Sequence, residues 1–251
     1  MAEWRIGRGW SDVELATRLD RLGGRGVNFD ADQSEMSVAA GWNEYASEAL
    51  IARESSGPPI DGGPFQRAEI AVANYQFSDP RIVVGHFDSE SRLLGRRMLL
   101  EMTALRVFHY LGGVVVNAVR FEEQDGQHVF GFRYDTLTGH LERGSEWFTV
   151  TKDVRSGEIR FRVEAAWLPG DFPNGWSRLG FKLLGPYYQR RWHHEAHQRL
   201  FEIARGTQPA TAPRDAEGLA HAGLTIVFER TQSARVAEGP IWQEEETIQS
   251  S

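Results

Sequence analysis

Between Glu158 and Trp167 the chain alternates with period two. Ile159, Phe161, Val163, Ala165 and Trp167 fall on one side, and Arg160, Arg162, Glu164 and Ala166 on the other. Successive side chains of a strand point to opposite faces, so this pattern predicts an antiparallel strand with one face in a core and one in water. A one-residue slip would bury both arginines, which fixes the register. The same period places Phe130, Phe132 and Tyr134 on one face of an earlier strand, and Phe148 and Val150 on the next.

Further apolar runs predict more strands: Arg81 to Gly85, Met98 to Tyr110 and Val114 to Phe121. Gly112-Gly113 reads as a hairpin turn between the last two, and Gln124-Asp125-Gly126 as another. Helical spacing appears at both ends. Ser11-Asp12-Val13-Glu14 matches a capping box and is followed by Leu15, Leu19 and Leu22, with Gly23-Gly24 as the stop. Trp176, Leu179, Leu183, Leu184 and Tyr187, then Trp192, Ala196, Leu200 and Ile203, mark a long final helix that ends at Gly206. Pro186 interrupts it, as a kink or as the first turn of a second segment.

Residues 24–64 are rich in glycine, serine and proline, with a short helix expected around Trp42, Tyr45, Leu50 and Ile51. Residues 68–75 fit a strand or a helix equally. Beyond Gly206 the core-forming period is lost. Residues 207–251 read as a mostly flexible acidic tail, with one possible strand over 224–228. The element order predicts an α+β fold over residues 1–206, in which a curved antiparallel sheet is covered by the C-terminal helix.

Composition narrows the function classes. The 251 residues suffice for one large domain, and 14 Phe with 8 Trp supply a sizeable core. A net charge of −7 argues against a nucleic-acid partner. Without cysteine there is no disulfide, thiolate nucleophile or cysteine metal site. The N-terminus lacks a secretory h-region, and no run approaches the ~20 apolar residues of a transmembrane helix. These features point to a cytoplasmic protein with no membrane span.

The segment from Gly139 to Glu146 concentrates titratable groups between glycines: His140, Glu142, Arg143 and Glu146. A histidine beside carboxylates can act as a general base, and paired carboxylates near an apolar cavity can have separated pKa values. The competing reading is structural, with both glutamates pairing Arg143 or the helix arginines. His140, Glu142 and Glu146 are thus the candidate catalytic residues. His193 and His197 lie four apart on a helix, but His-His-Glu-Ala-His does not match the zinc motif His-Glu-x-x-His, so a solvated helix face is expected and no metal. No glycine run has phosphate-loop spacing, no serine sits in Gly-x-Ser-x-Gly, and no cofactor is expected.

The segment Gly139-His140-Leu141-Glu142-Arg143-Gly144-Ser145-Glu146, with Arg178-Leu179-Gly180, Gly185-Pro186 and Gln189-Arg190-Arg191, resembles the uncharacterised protein family 0548, a family of unknown function. The match is specific from about Val114 to Arg205. The family's usual proline after Gly-His is Leu141 here. That family is in turn similar to the START-like helix-grip superfamily. The resemblance implies a sheet wrapped around a long C-terminal helix, with a cavity for an apolar ligand. On that implied fold, Phe130, Phe132, Tyr134, Phe161, Trp167 and Arg191 are the candidate ligand-binding residues. Three functions follow: a carrier or sensor of a small apolar or amphipathic ligand, an enzyme using His140 and Glu142 on a hydrophobic substrate, or an interaction module whose acidic tail engages a partner.

Overall fold

The computed structural model describes residues 3–170, 175–207 and 242–247. Its frame is one antiparallel sheet. Strands β1 (Glu3–Ile6), β2 (Asn43–Arg53), β3 (Val83–His86), β4 (Arg97–Ala104), β5 (Phe108–Gln124), β6 (Gln127–Thr136), β7 (Glu142–Asp153), β8 (Glu158–Pro169) and β9 (Trp242–Thr247) pair in the order β3-β4-β5-β6-β7-β8-β2-β9, with β1 alongside the start of β5. Helix α1 (Asp12–Arg21) packs outside the sheet. Helices α2 (Pro64–Ala73) and α3 (Gly175–Ala204) fill its concave face. The predicted α+β helix-grip arrangement is the one observed.

Each face has its own core. On the concave side Ile159, Phe161, Val163, Phe130, Phe132, Phe148 and Val150 meet Phe65, Val72 and Phe77 from α2 and its following turn, and Ala196 and Leu200 from α3. Phe161 and Val163 are fully buried, while Arg160 and Arg162 lie on the other face and bracket Glu48. On the convex side Trp10, Leu15 and Leu22 cover Leu99, Leu111, Val115 and Leu137. The Ser11 capping box forms as the sequence predicts, so α1 starts where its first-turn amides are satisfied.

Two expectations change and one open choice is resolved. The segment around Trp42 and Tyr45 is strand β2, not a helix. It is held between β8 and β9, so non-local pairing overrides its weak local period. Residues 68–75 resolve mainly as helix α2. Gly112-Gly113 is no turn but lies inside β5, and the hairpin turn falls at Leu105–Val107. The glycines answer to packing. A Cβ on Gly113 would meet Leu22 at 2.6 Å, and one on Gly112 would meet the His140 ring at 2.2 Å. Helix α3 runs as one element through Pro186. The possible strand over 224–228 lies outside the described residues. Among those described, no helix is long and apolar enough to cross a membrane.

Candidate functional site

Strand registers turn the sequence pattern into rows across the concave face. One row is Ala49–Phe161–Val150–Phe130, and the next is Ser47–Val163–Phe148–Phe132. Both are apolar apart from Ser47. The following row, Tyr45–Ala165–Glu146–Tyr134, is polar at three of four positions. Beyond it come Trp167 and Gly144, then Glu142 at the start of β7. Burial along β8 follows the same gradient. Ile159, Phe161 and Val163 are buried, but the inward-facing Ala165 and Trp167 are partly exposed. The concave face is therefore sealed and apolar at one end, polar and solvent-reachable at the other.

Helix α3 lays its own polar residues over the transition. His193 and His197 are fully buried, which overturns the expectation of a solvated helix face; of the three histidines only His194 is exposed. Ser47 Oγ lies 2.8 Å from His193 Nδ1 and 2.8 Å from His197 Nε2. A hydroxyl donates one hydrogen, so one ring accepts from Ser47 and the other donates to it. The other nitrogen of His193, Nε2, lies 3.7 Å from Glu146 Oε1, and the Tyr134 hydroxyl donates to Glu146 Oε2. Tyr45 stacks edge-on against His193 at 4.1 Å between ring centroids. Nothing in the sequence except the four-residue spacing signalled this Ser47–His193–Glu146–Tyr134 chain.

Burial sets the charge state. It pushes the Glu146 carboxyl up to about 8 and Glu142 up to about 7. It holds His193 well below its usual value and His197 down to about 3. Near pH 6.5 the inner cluster is thus a neutral set of donors and acceptors. No ion pair between either glutamate and an arginine occurs among the described residues. No group of three or more metal-ligating side chains occurs among the described residues.

The segment from Gly139 to Glu146 is less of a loop than its glycines suggest. Glu142 and Glu146 already belong to β7, and only Gly139 has a positive φ, +95°. Gly144 serves contact instead: a Cβ there would meet the Ala166 carbonyl at 2.1 Å. His140 lies flat over Gly112, edge-on to Tyr110. Its Nδ1 accepts from the Glu142 backbone N–H at 3.1 Å, so Nε2 carries the proton and the lone pair a base would need is taken. Burial lowers its pKa to about 4. The ring is a wedge between β5 and β7, and Gly112→Ala is expected to expel it. The midpoint of thermal unfolding should fall by several degrees, as overpacking typically costs ~1–3 kcal/mol.

The remaining candidates separate by depth. Phe130, Phe132 and Phe161 pack in the core, with Phe132 5.1 Å from Phe148 and Phe161 5.3 Å from Phe77 between centroids. Tyr134, Glu142, Glu146 and Trp167 gather at the polar end. Arg191 is exposed on α3.

The solved structures to which the chain is similar include the following three. Hypothetical protein jhp0584 from Helicobacter pylori is 13% identical with a TM-score of 0.44, covering 72% of this chain and 98% of that one. Ara h 8.0201 is 11% identical with a TM-score of 0.39, covering 66% and 99%. Human STARD10 is 6% identical with a TM-score of 0.37, covering 88% and 93%. No curated protein matches the chain in sequence. Residues 29–200, which hold both the sealed apolar rows and the polar end, match a family described as a domain of unknown function, DUF1990, and the chain belongs to that family.

Proposed function

We propose that the chain binds a small amphipathic molecule between sheet and α3, as a carrier or sensor, with its polar group at Tyr134, Glu142 and Glu146. One observation carries the reading. Inward-facing polar side chains collect at the one end of the concave face where burial is incomplete, next to a packed aromatic wall. Binding sites are typically apolar with a few convergent polar groups. Because the cluster is neutral, it suits an uncharged head with a hydroxyl, carbonyl or protonated carboxyl group, and disfavours a strong anion. The acid–base alternative through His140 lacks support, since its Nδ1 is engaged by backbone. The cysteine-free composition fits the cytoplasm as the setting.

Native mass spectrometry of protein purified from its own host tests this. The wild type is expected to carry a co-purified small molecule. Tyr134→Phe and Glu142→Gln should each lose it while keeping the unfolding midpoint within a few degrees. Unchanged occupancy in both variants, or no ligand in the wild type, would refute the proposal.

A further inference from the structure

The turn joining β4 to β5 is built against the usual chemistry. Leu105 and Arg106 occupy its two central positions with φ of +52° and +62°. Val107 N–H closes the turn onto the Ala104 carbonyl. Positive φ at both central positions favours Asn-Gly, and a residue with a Cβ is strained there. Here a leucine, 56% exposed, and an arginine take those places, followed by exposed Val107 and Phe108.

Strand β1 extends this apolar surface. Ile6 lies across from Phe108 and Trp4 across from Tyr110, so their side chains share the concave side of the sheet. Trp4 is 47% exposed and Ile6 62%. The Gly7 N–H donates to the Val107 carbonyl, which fixes β1 against the turn. The Leu105 N–H donates to the Tyr188 hydroxyl, which brings α3 to the same rim. Tyr110, two positions along β5 from Phe108 and on the same face, donates to the Gly139 carbonyl at 3.3 Å, so the rim runs to the segment that leads into Glu142.

Charge separates the rim from the rest of an acidic chain. Exposed Arg106 crowns the turn, exposed Arg8 follows β1, and exposed Arg191 lies three residues beyond Tyr188. Two acids of the neighbouring surface are engaged, Glu3 by Arg18 at 2.6 Å and Glu14 by Arg5, while Asp12 at the start of α1 is exposed. A tryptophan and aliphatic tips ringed by arginines match the layered chemistry of a lipid surface, apolar below and anionic at the headgroups.

We propose that the rim formed by Trp4, Ile6, Leu105, Val107 and Phe108 docks this protein onto anionic lipid surfaces, with Arg106 at headgroup level. The proposal rests on the ligand-binding reading only for its purpose: the docked rim would set the open end of the interior against the membrane from which an amphipathic molecule could enter.

Flotation of the full chain with phosphatidylcholine vesicles, alone or mixed with phosphatidylglycerol, tests it. The wild type should float with the mixed vesicles far more than with phosphatidylcholine alone. The double variant Leu105→Asn with Arg106→Gly supplies the favoured turn residues. It should unfold at the same or a higher temperature and yet bind mixed vesicles at least about tenfold more weakly, the loss expected when apolar contact and charge go together. Trp4→Ala should weaken binding in both vesicle types. Equal flotation of wild type and double variant, or no flotation with mixed vesicles, would overturn docking. So would a concentration-dependent dimer in sedimentation that the double variant abolishes without any lipid binding by the wild type. Glu142→Gln should dock as the wild type does, so failure of the ligand reading leaves this result readable.

Discussion

Phe148→Ala is expected to destabilise the protein by ~3–5 kcal/mol, the range for removing a fully buried aromatic ring. Phe148 is 0% exposed and sits where three parts of the fold converge. Its ring centroid is 4.8 Å from Phe77, 5.1 Å from Phe132, 5.3 Å from Tyr134 and 6.1 Å from Trp192. The sheet, the turn after α2 and helix α3 thus share one side chain. Neighbouring rings cannot collapse into the space together, because each is held by another partner. Urea unfolding gives the measurement, with Val13→Ala on the exposed face of α1 as a control expected within ~0.5 kcal/mol of wild type. A loss below ~1 kcal/mol at Phe148 would show that the wall is loosely packed and that ligand space extends into it.

Stability is expected to fall as pH rises from 6.5 to 8. Glu142 and Glu146 have folded pKa values of about 7 and about 8, above the ordinary 4.5. Their stabilising contribution is complete below pH 4.5 and is lost as pH rises through those folded values. His140, His193 and His197 are depressed below the ordinary 6.5, so their contribution is complete above pH 6.5 and is lost as pH falls toward about 4 and below. Between these ordinary values the three histidines oppose the raised carboxylates Glu142, Glu146 and Glu69, so the two sets offset each other and the dependence on pH is weak. Above pH 6.5 only the carboxylates still differ between folded and unfolded chains, and stability falls until about pH 8. Glu69, raised to about 7 by burial, adds to the same decline. The unfolding midpoint should drop on the order of 5 °C between pH 6.5 and 8. Glu146→Gln, which cannot titrate, should flatten that limb. An identical slope in the variant would mean that Glu146 is ionised in the folded protein.

The architecture was legible where neighbours in sequence are also neighbours in space. Strands β6 to β8 are consecutive hairpins, so their alternation is uninterrupted and their faces follow from period alone. β2 was missed because its partners are β8 and β9, far along the chain, and its sequence mixes Glu44, Ser47 and Glu48 with Tyr45 and Leu50. Gly112-Gly113 misled because a glycine pair signals a turn and close packing alike; only the position of His140 distinguishes them. At the site, Glu142 and Glu146 were singled out beside His140, and Tyr134 separately among the aromatic strand residues. Their partners Ser47 and His193 were not, since 146 residues separate those two in the chain. The exposed apolar turn at Leu105 left no signal either, as leucine and arginine carry no turn preference.

Strand β2 also carries a consequence for how the chain is made. Its residues 43–53 pair with residues 158–167 of β8, so its inner neighbour emerges from the ribosome more than a hundred residues later. At ~5–20 residues per second that leaves β2 without its sheet partner for roughly 5–20 s. Such distant pairing also raises contact order, which slows folding of the released chain. Strands β4 to β8 can zip as successive hairpins during that interval, whereas β2 must be kept from pairing elsewhere. Its charged outward positions, Glu44 and Glu48, are suited to that delay, because an unpaired strand bearing carboxylates resists stacking on another copy of itself. Neutralising both would be felt first as aggregation of nascent chains, in yield rather than in the stability of the finished molecule.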